Sequence, residues 1–342
     1  MSTDVDFIIV GGGLAGSILA LELIERGASV LIFDKPMEGA ASPIAAGLAN
    51  PVSGKRLVYE PELEQKQTAL KLFARKLEQL SGQNVLSEIL QTRFLNDQQV
   101  SELKTRQLEI SNSAYVQAKS EKVLTIENTL RLDIPKTCRL IGNILEAKHS
   151  RSETHFDYND LTLTRESVQW QEINAKKVVF CEGWRASQNP WFGELPFNLN
   201  KGQVLKLDHP NLEPSLKNWG HWELQTGTER WLGATTERGY QHLNPDAEGR
   251  ITLLESLASM QTAQAGGQIS EQQPQVLELK VLELKVLEQR AGIRPATIDR
   301  KPFVGIHPKY PQMGIFNGFG GKGSMLIPLA ASAFANQLLR NQ

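Results

Sequence analysis

Between residues 7 and 34 the chain carries two kinds of apolar pattern. Residues 7–10 and 30–33 are short and continuous, as strands buried on both faces of a parallel sheet require. Between them Ile18, Leu19, Leu21, Leu23 and Ile24 cover much of a helix from Leu14 to Arg26, and Gly27 stands where a C-cap belongs. The stretch therefore predicts strand, glycine turn, helix and second strand. Further on, Leu63, Leu70, Phe73, Leu77 and Leu80 mark an amphipathic helix over 61–80, closed by Ser81-Gly82. Residues 85–131 mix β-like runs (115–118) with helical ones (97–105), in an order that the pattern does not resolve.

Pro135 takes the favoured first-turn position of a helix reaching to about His149, with Cys138, Ile141, Ile144 and Leu145 on its inner stripe. Residues 155–158, 161–163 and 168–171 read as a small antiparallel meander. By contrast, 177–181 is a buried, parallel-type strand that returns the chain to the first sheet and ends in Glu182-Gly183-Trp184, at a carboxyl end of the kind where open α/β sheets bind ligands. Strands at 202–207, 219–224 and 230–236 predict a second, mainly antiparallel sheet, and 247–264 another amphipathic helix. Residues 276–288 repeat every five positions, a period that fits neither helix nor strand. The last copy leads as a strand into Arg290. At the end of the chain a strand at 313–317 meets four glycines in the six residues 318–323, and then a helix.

The first glycine turn has chemistry written into its spacing. In Gly11-x-Gly13-x-x-Gly16, Gly11 makes the tight turn, Gly13 admits a pyrophosphate and Gly16 lets helix pack on strand. Open amides at the helix N-terminus then face the phosphates. Asp34 closes the second strand eighteen residues beyond Gly16, near the ~20 expected of the acid that holds an adenosine ribose. A dinucleotide lacking a 2′-phosphate is the expected ligand. The small residues of 40–56, with Asn50-Pro51 and Ser53-Gly54, suit a loop lying flat against it.

Composition narrows the rest. The 342 residues suit two domains or one large domain with an insertion. With 37 basic and 38 acidic side chains the net charge is −1, which offers no global field for nucleic acid or an anionic membrane. Cys138 and Cys181 make neither a metal spacing nor a disulfide framework, and both read as packing residues. No apolar run approaches the ~18 residues of a membrane span, and no basic region precedes the first strand. A soluble, cytoplasmic protein is expected. Five of the six tryptophans fall between Trp184 and Trp231, where they either fill a core or line a cavity; Trp222, His221 and Tyr240 are cavity candidates by neighbourhood. Arg290, Arg294 and Lys301 sit in turn-rich sequence and need partners.

Taken together, the opening fingerprint, Ala45-Ala-Gly-Leu-Ala-Asn-Pro, Val178-Val-Phe-Cys-Glu-Gly-Trp, Leu232-Gly-Ala-Thr, Arg290-Ala-Gly-Ile-Arg-Pro-Ala-Thr-x-Asp and Gly318-Phe-Gly-Gly-Lys-Gly resemble the FAD-dependent D-amino-acid oxidase superfamily over nearly the whole chain. Its glycine and sarcosine oxidase branch is nearest, along with the FAD domain of the bifunctional enzyme that trims carboxymethylaminomethyl-uridine in tRNA. The resemblance implies an α/β fold: a Rossmann-like FAD domain of glutathione-reductase type (1–60, 135–195 and 290–342) with a substrate domain on a mixed, mainly antiparallel sheet (61–134 and 196–289). It implies FAD contacts at Gly11, Gly13, Leu14, Ala15, Gly16, Asp34, Lys35, Ser42, Ala46, Gly47, Leu48, Gly183, Gly320, Gly321, Lys322 and Gly323. Arg294 matches the arginine that pairs with a substrate carboxylate. Two departures stand out. Phe319 replaces a usual His and Gly321-Lys322 a usual Arg, so Lys322 is the remaining candidate for a second cation. Neither cysteine matches a covalent FAD anchor, so noncovalent FAD is expected.

The implied reaction is oxidation of the C–N bond of an amino acid or secondary amine by hydride transfer to flavin, with oxygen or a quinone as final acceptor. Arg294 and Lys322 are the side chains expected at the chemistry. Two alternatives remain: a tRNA carboxymethylaminomethyl-uridine oxidoreductase, against which the near-neutral charge argues, and a flavin-binding module without turnover.

Overall fold

The strand Thr3–Val10 holds Phe7, Ile8 and Ile9 wholly out of water, so it needs cover on both faces and neighbours on both edges. The computed structural model, which describes residues 3–54, 57–105, 115–208, 213–264 and 284–340, shows both. Val30–Phe33 and Ile173–Phe180 flank it in parallel, and Arg151–Ser152 and Met313–Asn317 extend the parallel core on either side. Leu161–Leu163 and Val168–Trp170 add an antiparallel edge, and Phe303–Ile306 pairs antiparallel with Met313–Asn317. Eight strands of the described residues form this sheet.

One face is covered by helices α1 (Leu14–Ile24), α2 (Leu63–Ser81), α4 (Ile134–Ala147) and α6 (Gly323–Arg340), whose apolar stripes merge into one core; α3 (Asp97–Thr105) lies elsewhere. The other face is aromatic: Phe33, Phe156 and Trp170 cluster there, and Trp191 stacks on Phe180.

Nine further strands form the second sheet. Its order runs Val286–Arg294, Asn200–Leu207, Arg230–Gly233, Trp222–Gln225, Ser215–Asn218, Leu86–Phe94, Val123–Leu132 and Leu48–Ala49, with Val116–Ser120 also on Val123–Leu132. Pairing is antiparallel except between Ser215–Asn218 and Leu86–Phe94. Helix α5 (Ala247–Gln264) packs Leu253, Leu254 and Leu257 against Leu205, Leu207 and Leu232. Leu48–Ala49 carries the chain from the first sheet to the second. There a Cβ on Gly47 would stand 1.8 Å from the Leu132 carbonyl oxygen, and its φ is +75°, so only glycine fits.

The stretch left unordered by its pattern, 85–131, becomes strand, helix and two strands, apart from 106–114, which lie outside the described residues. The expected strand at 155–158 is absent. Asp157 instead accepts the Asn159 amide and turns the chain into the short 3₁₀ segment Tyr158–Asp160, as Asx residues do. Most of the five-residue repeat lies outside the described residues; its end is the strand Val286–Arg294. No described helix is long and apolar enough to cross a membrane.

Gly16 is placed almost as tightly as Gly47. A Cβ on Gly16 would lie 1.9 Å from the Gly11 carbonyl oxygen, whereas one on Gly305, in the strand Phe303–Ile306, would meet nothing within 4 Å. In chemical denaturation Gly16→Ala should cost at least about 1–3 kcal/mol and Gly305→Ala less than about 0.5 kcal/mol.

Candidate functional site

A cavity of about 670 Å³ opens between the carboxyl ends of the first sheet and the inner face of the second. Of the residues expected at the cofactor, Gly11, Gly13, Leu14, Ala15, Asp34, Lys35, Ser42, Ala46, Gly47, Leu48, Gly183, Gly320, Gly321 and Gly323 all line it. Gly16 and Lys322 do not. The wall is completed by residues not named among the expected contacts, among them Asn50, Glu182 and Ala234, which lie inside the quoted motifs, and Gly12 and Asn218.

At one end the backbone does the work. Gly11 has φ +101°, and a Cβ there would stand 2.5 Å from the Cys181 carbonyl oxygen. Gly13, the N-cap of α1, is extended and has no side-chain cap, so the first-turn amides face the cavity with the positive end of the helix dipole. Ser42 Oγ accepts one of them, from Leu14, at 3.0 Å. Asp34 Oδ1 accepts the Gly12 amide at 2.9 Å, and its Oδ2 accepts from Arg151 at 3.0 Å. A Cβ on Gly12 would fall 2.3 Å from Asp34 Cγ, so this middle glycine, outside the three-glycine fingerprint, is equally required. The Asp34 carboxylate is thereby aimed and held, as an acid for ribose hydroxyls must be.

Both thiols at this end are held in the neutral form by burial. Burial first, and then the Asp34 charge, pushes Cys138 up to about 12, and burial pushes Cys181 well above the ordinary thiol range; neither supplies thiolate near neutral pH. Glu182 is raised by its burial although Tyr158 and Asn189 donate to it.

At the other end the second glycine turn joins Met313–Asn317 to α6. Gly318 and Gly320 have φ of +82° and +54°. Asn317 Nδ2 donates to the Gly183 carbonyl at 2.9 Å, tying the second glycine turn to the end of the strand Ile173–Phe180. The Gly320 amide donates to Pro295 O at 3.2 Å and the Lys322 amide to Phe319 O at 3.1 Å, which leaves the Gly321 amide for a ligand. Lys322 itself turns away: its ammonium donates to Glu60 Oε2 at 2.6 Å, and Lys66 donates to Glu60 Oε1 at 2.7 Å. Burial works to raise Glu60, but the two lysines outweigh it and hold the carboxyl below its usual range. Nothing in the sequence near Lys322 announces this partner, which lies 262 positions away.

Arg294 is the arginine that lines the cavity. Its guanidinium lies over Gly202, where a Cβ would come within 2.3 Å of Nη2. Nη1 donates to Asn200 Oδ1 at 3.0 Å and to Thr235 O at 3.1 Å. Both acceptors are neutral, no carboxylate of the described residues pairs with it, and burial draws its pKa below the ordinary value. Arg290, four residues earlier, is bonded to Glu288 instead. The tryptophans divide in the same way. Trp184 and Trp222 line the cavity, Trp191 packs in the aromatic core, Trp219 bonds Ser256, and Trp231 lies against Arg290 and Lys206. His221 bonds Ser256, and neither it nor Tyr240 reaches the cavity wall.

Known proteins share this architecture. The iminodiacetate oxidase IdaA of Chelativorans sp. BNC1 superposes with a TM-score of 0.78 at 18% identity, covering 98% of this chain and 95% of its own. Glycine oxidase of Geobacillus kaustophilus gives 0.78 at 20% identity, covering 100% and 96%. Among curated sequences, the tRNA 5-methylaminomethyl-2-thiouridine biosynthesis bifunctional protein MnmC of Psychrobacter cryohalolentis is 23% identical over 97% of this chain and 52% of its own length. The chain spans about half the length of the curated relatives it matches. The structural likenesses show the fold. The model of the FAD dependent oxidoreductase (DAO) family matches residues 6–337, and the chain belongs to that family.

Proposed function

We propose that the protein oxidises the C–N bond of a carboxylate-bearing amine or amino acid, using noncovalent FAD. The observation that carries this reading is Arg294, a cavity-lining guanidinium whose partners are neutral. A planar fork of donors without a counter-ion suits a carboxylate bidentately. The names of the two superposed oxidases point to substrates of the same class, small amino acids and imino acids.

The cavity wall fits FAD. Gly11 and Gly12 leave backbone where a Cβ would collide, and a Cβ on Gly13 would crowd Ser42 Oγ; the first-turn amides of α1 suit a diphosphate and Asp34 a ribose. Burial raises the thiols of Cys138 and Cys181, which disfavours the thiolate that a covalent link would need. When bound, FAD supplies the acceptor for the hydride that leaves the substrate α-carbon; the resulting imine is hydrolysed by water. The rest is the work of this chain. Arg294 fixes the carboxylate and with it the orientation of the α-carbon. Trp222 and Val204, whose side chains meet over Gly233, add apolar wall. The Gly321 amide and the start of α6 place positive dipole where negative charge collects. Among the described residues no histidine lines the cavity, and its two carboxylates, Asp34 at the end of Val30–Phe33 and Glu182 after Ile173–Phe180, are already engaged by neighbouring donors. The amine therefore enters as the free base, its proton left in solvent. Oxygen or a quinone takes the electrons afterwards.

A second reading follows from the MnmC relatives: the substrate amine is a carboxymethylamino group on a tRNA uridine. The net charge of −1 speaks against it, because tRNA binding rests on neutralising phosphates. Salt-sensitive, tight tRNA binding would favour it.

Three outcomes are expected. Anaerobic addition of one or more members of a panel of amino acids and N-methyl amines bleaches the flavin absorbance; bleaching by none leaves a flavin-binding module without this chemistry. Arg294→Ala weakens carboxylated substrates on the order of a hundredfold in kcat/KM and leaves carboxylate-free amines nearly unchanged. The kcat/KM profile rises with pH through the pKa of the substrate ammonium, and a substrate of lower amine pKa moves the rise down with it.

A further inference from the structure

The second sheet carries one row of cavity residues in strict register. Val204 pairs with Gly233, Gly233 with Trp222, Trp222 with Asn218, and Asn218 with Arg93. Directly opposed residues share a face of a sheet. Val204, Trp222 and Asn218 line the cavity, so Arg93 stands on the same face, one strand beyond its edge.

Arg93 is the one buried arginine among the described residues. Arg230 meets Glu223 and Arg151 meets Asp34, whereas Arg294, in the cavity wall, bonds only neutral oxygens. Arg93 meets neutral oxygens: Nη1 donates to Asn218 Oδ1, Nη2 to Gly54 O at 3.3 Å, and Nε has no partner. Burial lowers its pKa with nothing acidic to offset it. A guanidinium kept from water without a counter-ion is costly. Asn218 lies between this charge and the cavity. Its Oδ1 also accepts the Gly220 amide at 3.2 Å, so the carboxamide is fixed with its oxygen occupied, and the end left for a ligand is the Nδ2 donor.

We propose that Asn218 Nδ2, backed by Arg93, is a second anion-recognising position of the substrate chamber, and that the substrate is an amine or amino acid with an anionic group at each end. This rests on the reading of Arg294 as the holder of the first carboxylate. Arg294 lies over Gly202, and three strand spacings, about 14 Å, separate the Gly202 strand from that of Asn218. The second anion therefore ends a long arm. Trp222, whose indole covers Gly233 between the two positions, is the surface along which an apolar arm would lie.

Calorimetric titration of the FAD-loaded protein tests this without turnover. The probes are straight-chain dicarboxylates from glutarate to sebacate, ω-phosphonocarboxylates of the same lengths, and the matching monocarboxylates. At about seven to ten carbons a doubly anionic probe should bind about tenfold tighter than its monocarboxylate, the worth of one charged hydrogen bond. Whether carboxylate or phosphonate gains more identifies the distal group. Asn218→Ala and Arg93→Gln should bring the ratio to about one with monocarboxylate affinity unchanged, and Asn218→Asp, which supplies Arg93 with a counter-ion, should bring it below one. Should Arg93→Gln fail to fold, the two Asn218 variants decide. Equal binding of singly and doubly anionic probes by the wild type, or a preference that survives in Asn218→Ala, overturns the proposal. If no carboxylate binds, or binding ignores Arg294→Ala, the fault lies instead with the reading of Arg294.

Discussion

The structure depends on one approach of backbone to backbone, at the crossing of the first strand and the first helix. Gly16 sits so close to the Gly11 carbonyl that even a methyl group would collide with it. That approach seats α1 on the strand end and aims its uncapped N-terminus outward over the sheet. The Gly47 crossing, equally intolerant of a Cβ, then carries the chain directly to the second sheet, whose inner face closes the space above. A cavity walled by backbone at one end and by side chains at the other is the result. The backbone end suits a ligand common to many proteins, and the side-chain end one particular to this chain.

Charge is distributed in the cavity with the same economy. The helix dipole at Gly13 and the guanidinium of Arg294 are positive and unneutralised, while the acids of the wall, Asp34 and Glu182, are each engaged by neighbouring donors. An anion gains at both ends and meets no free carboxylate between them. Lys322 shows what separates a cavity cation from a structural one. It belongs to the glycine turn beside the cavity, yet its ammonium is held by Glu60, so it fastens the turn to the segment after Gly47 instead of offering charge to a ligand.

How much of this was legible in the sequence follows from the range of each interaction. The strand, turn and helix of residues 7–34, the buried strand ending at Cys181 and the final glycine turn are local patterns, and the structure has them where their periodicity places them. The amphipathic helices 63–81 and 247–264 were equally plain. The roof of the cavity was not. Trp222 was a candidate by neighbourhood alone, Asn218 reaches the wall through its cross-strand register with Trp222, which no short window of sequence encodes, and Arg93 joins that row from a stretch whose mixed pattern left its order open. The Glu60 partner of Lys322 and the Arg151 partner of Asp34 are likewise products of tertiary contact. The turn at 155–158 was missed for a different reason: alternation of Phe156 and Tyr158 looks like a strand, and only the Asp157 side chain reveals that the backbone bends.

The most direct test of the central claim is the absorbance spectrum of the purified protein, before and after acid precipitation, with the released chromophore counted per chain. One FAD per chain, yellow in the native protein and wholly in the supernatant after precipitation, is the predicted result. A colourless protein that takes up no FAD on reconstitution would contradict the assignment of the cavity, and a chromophore that stays with the precipitated chain would contradict noncovalent binding.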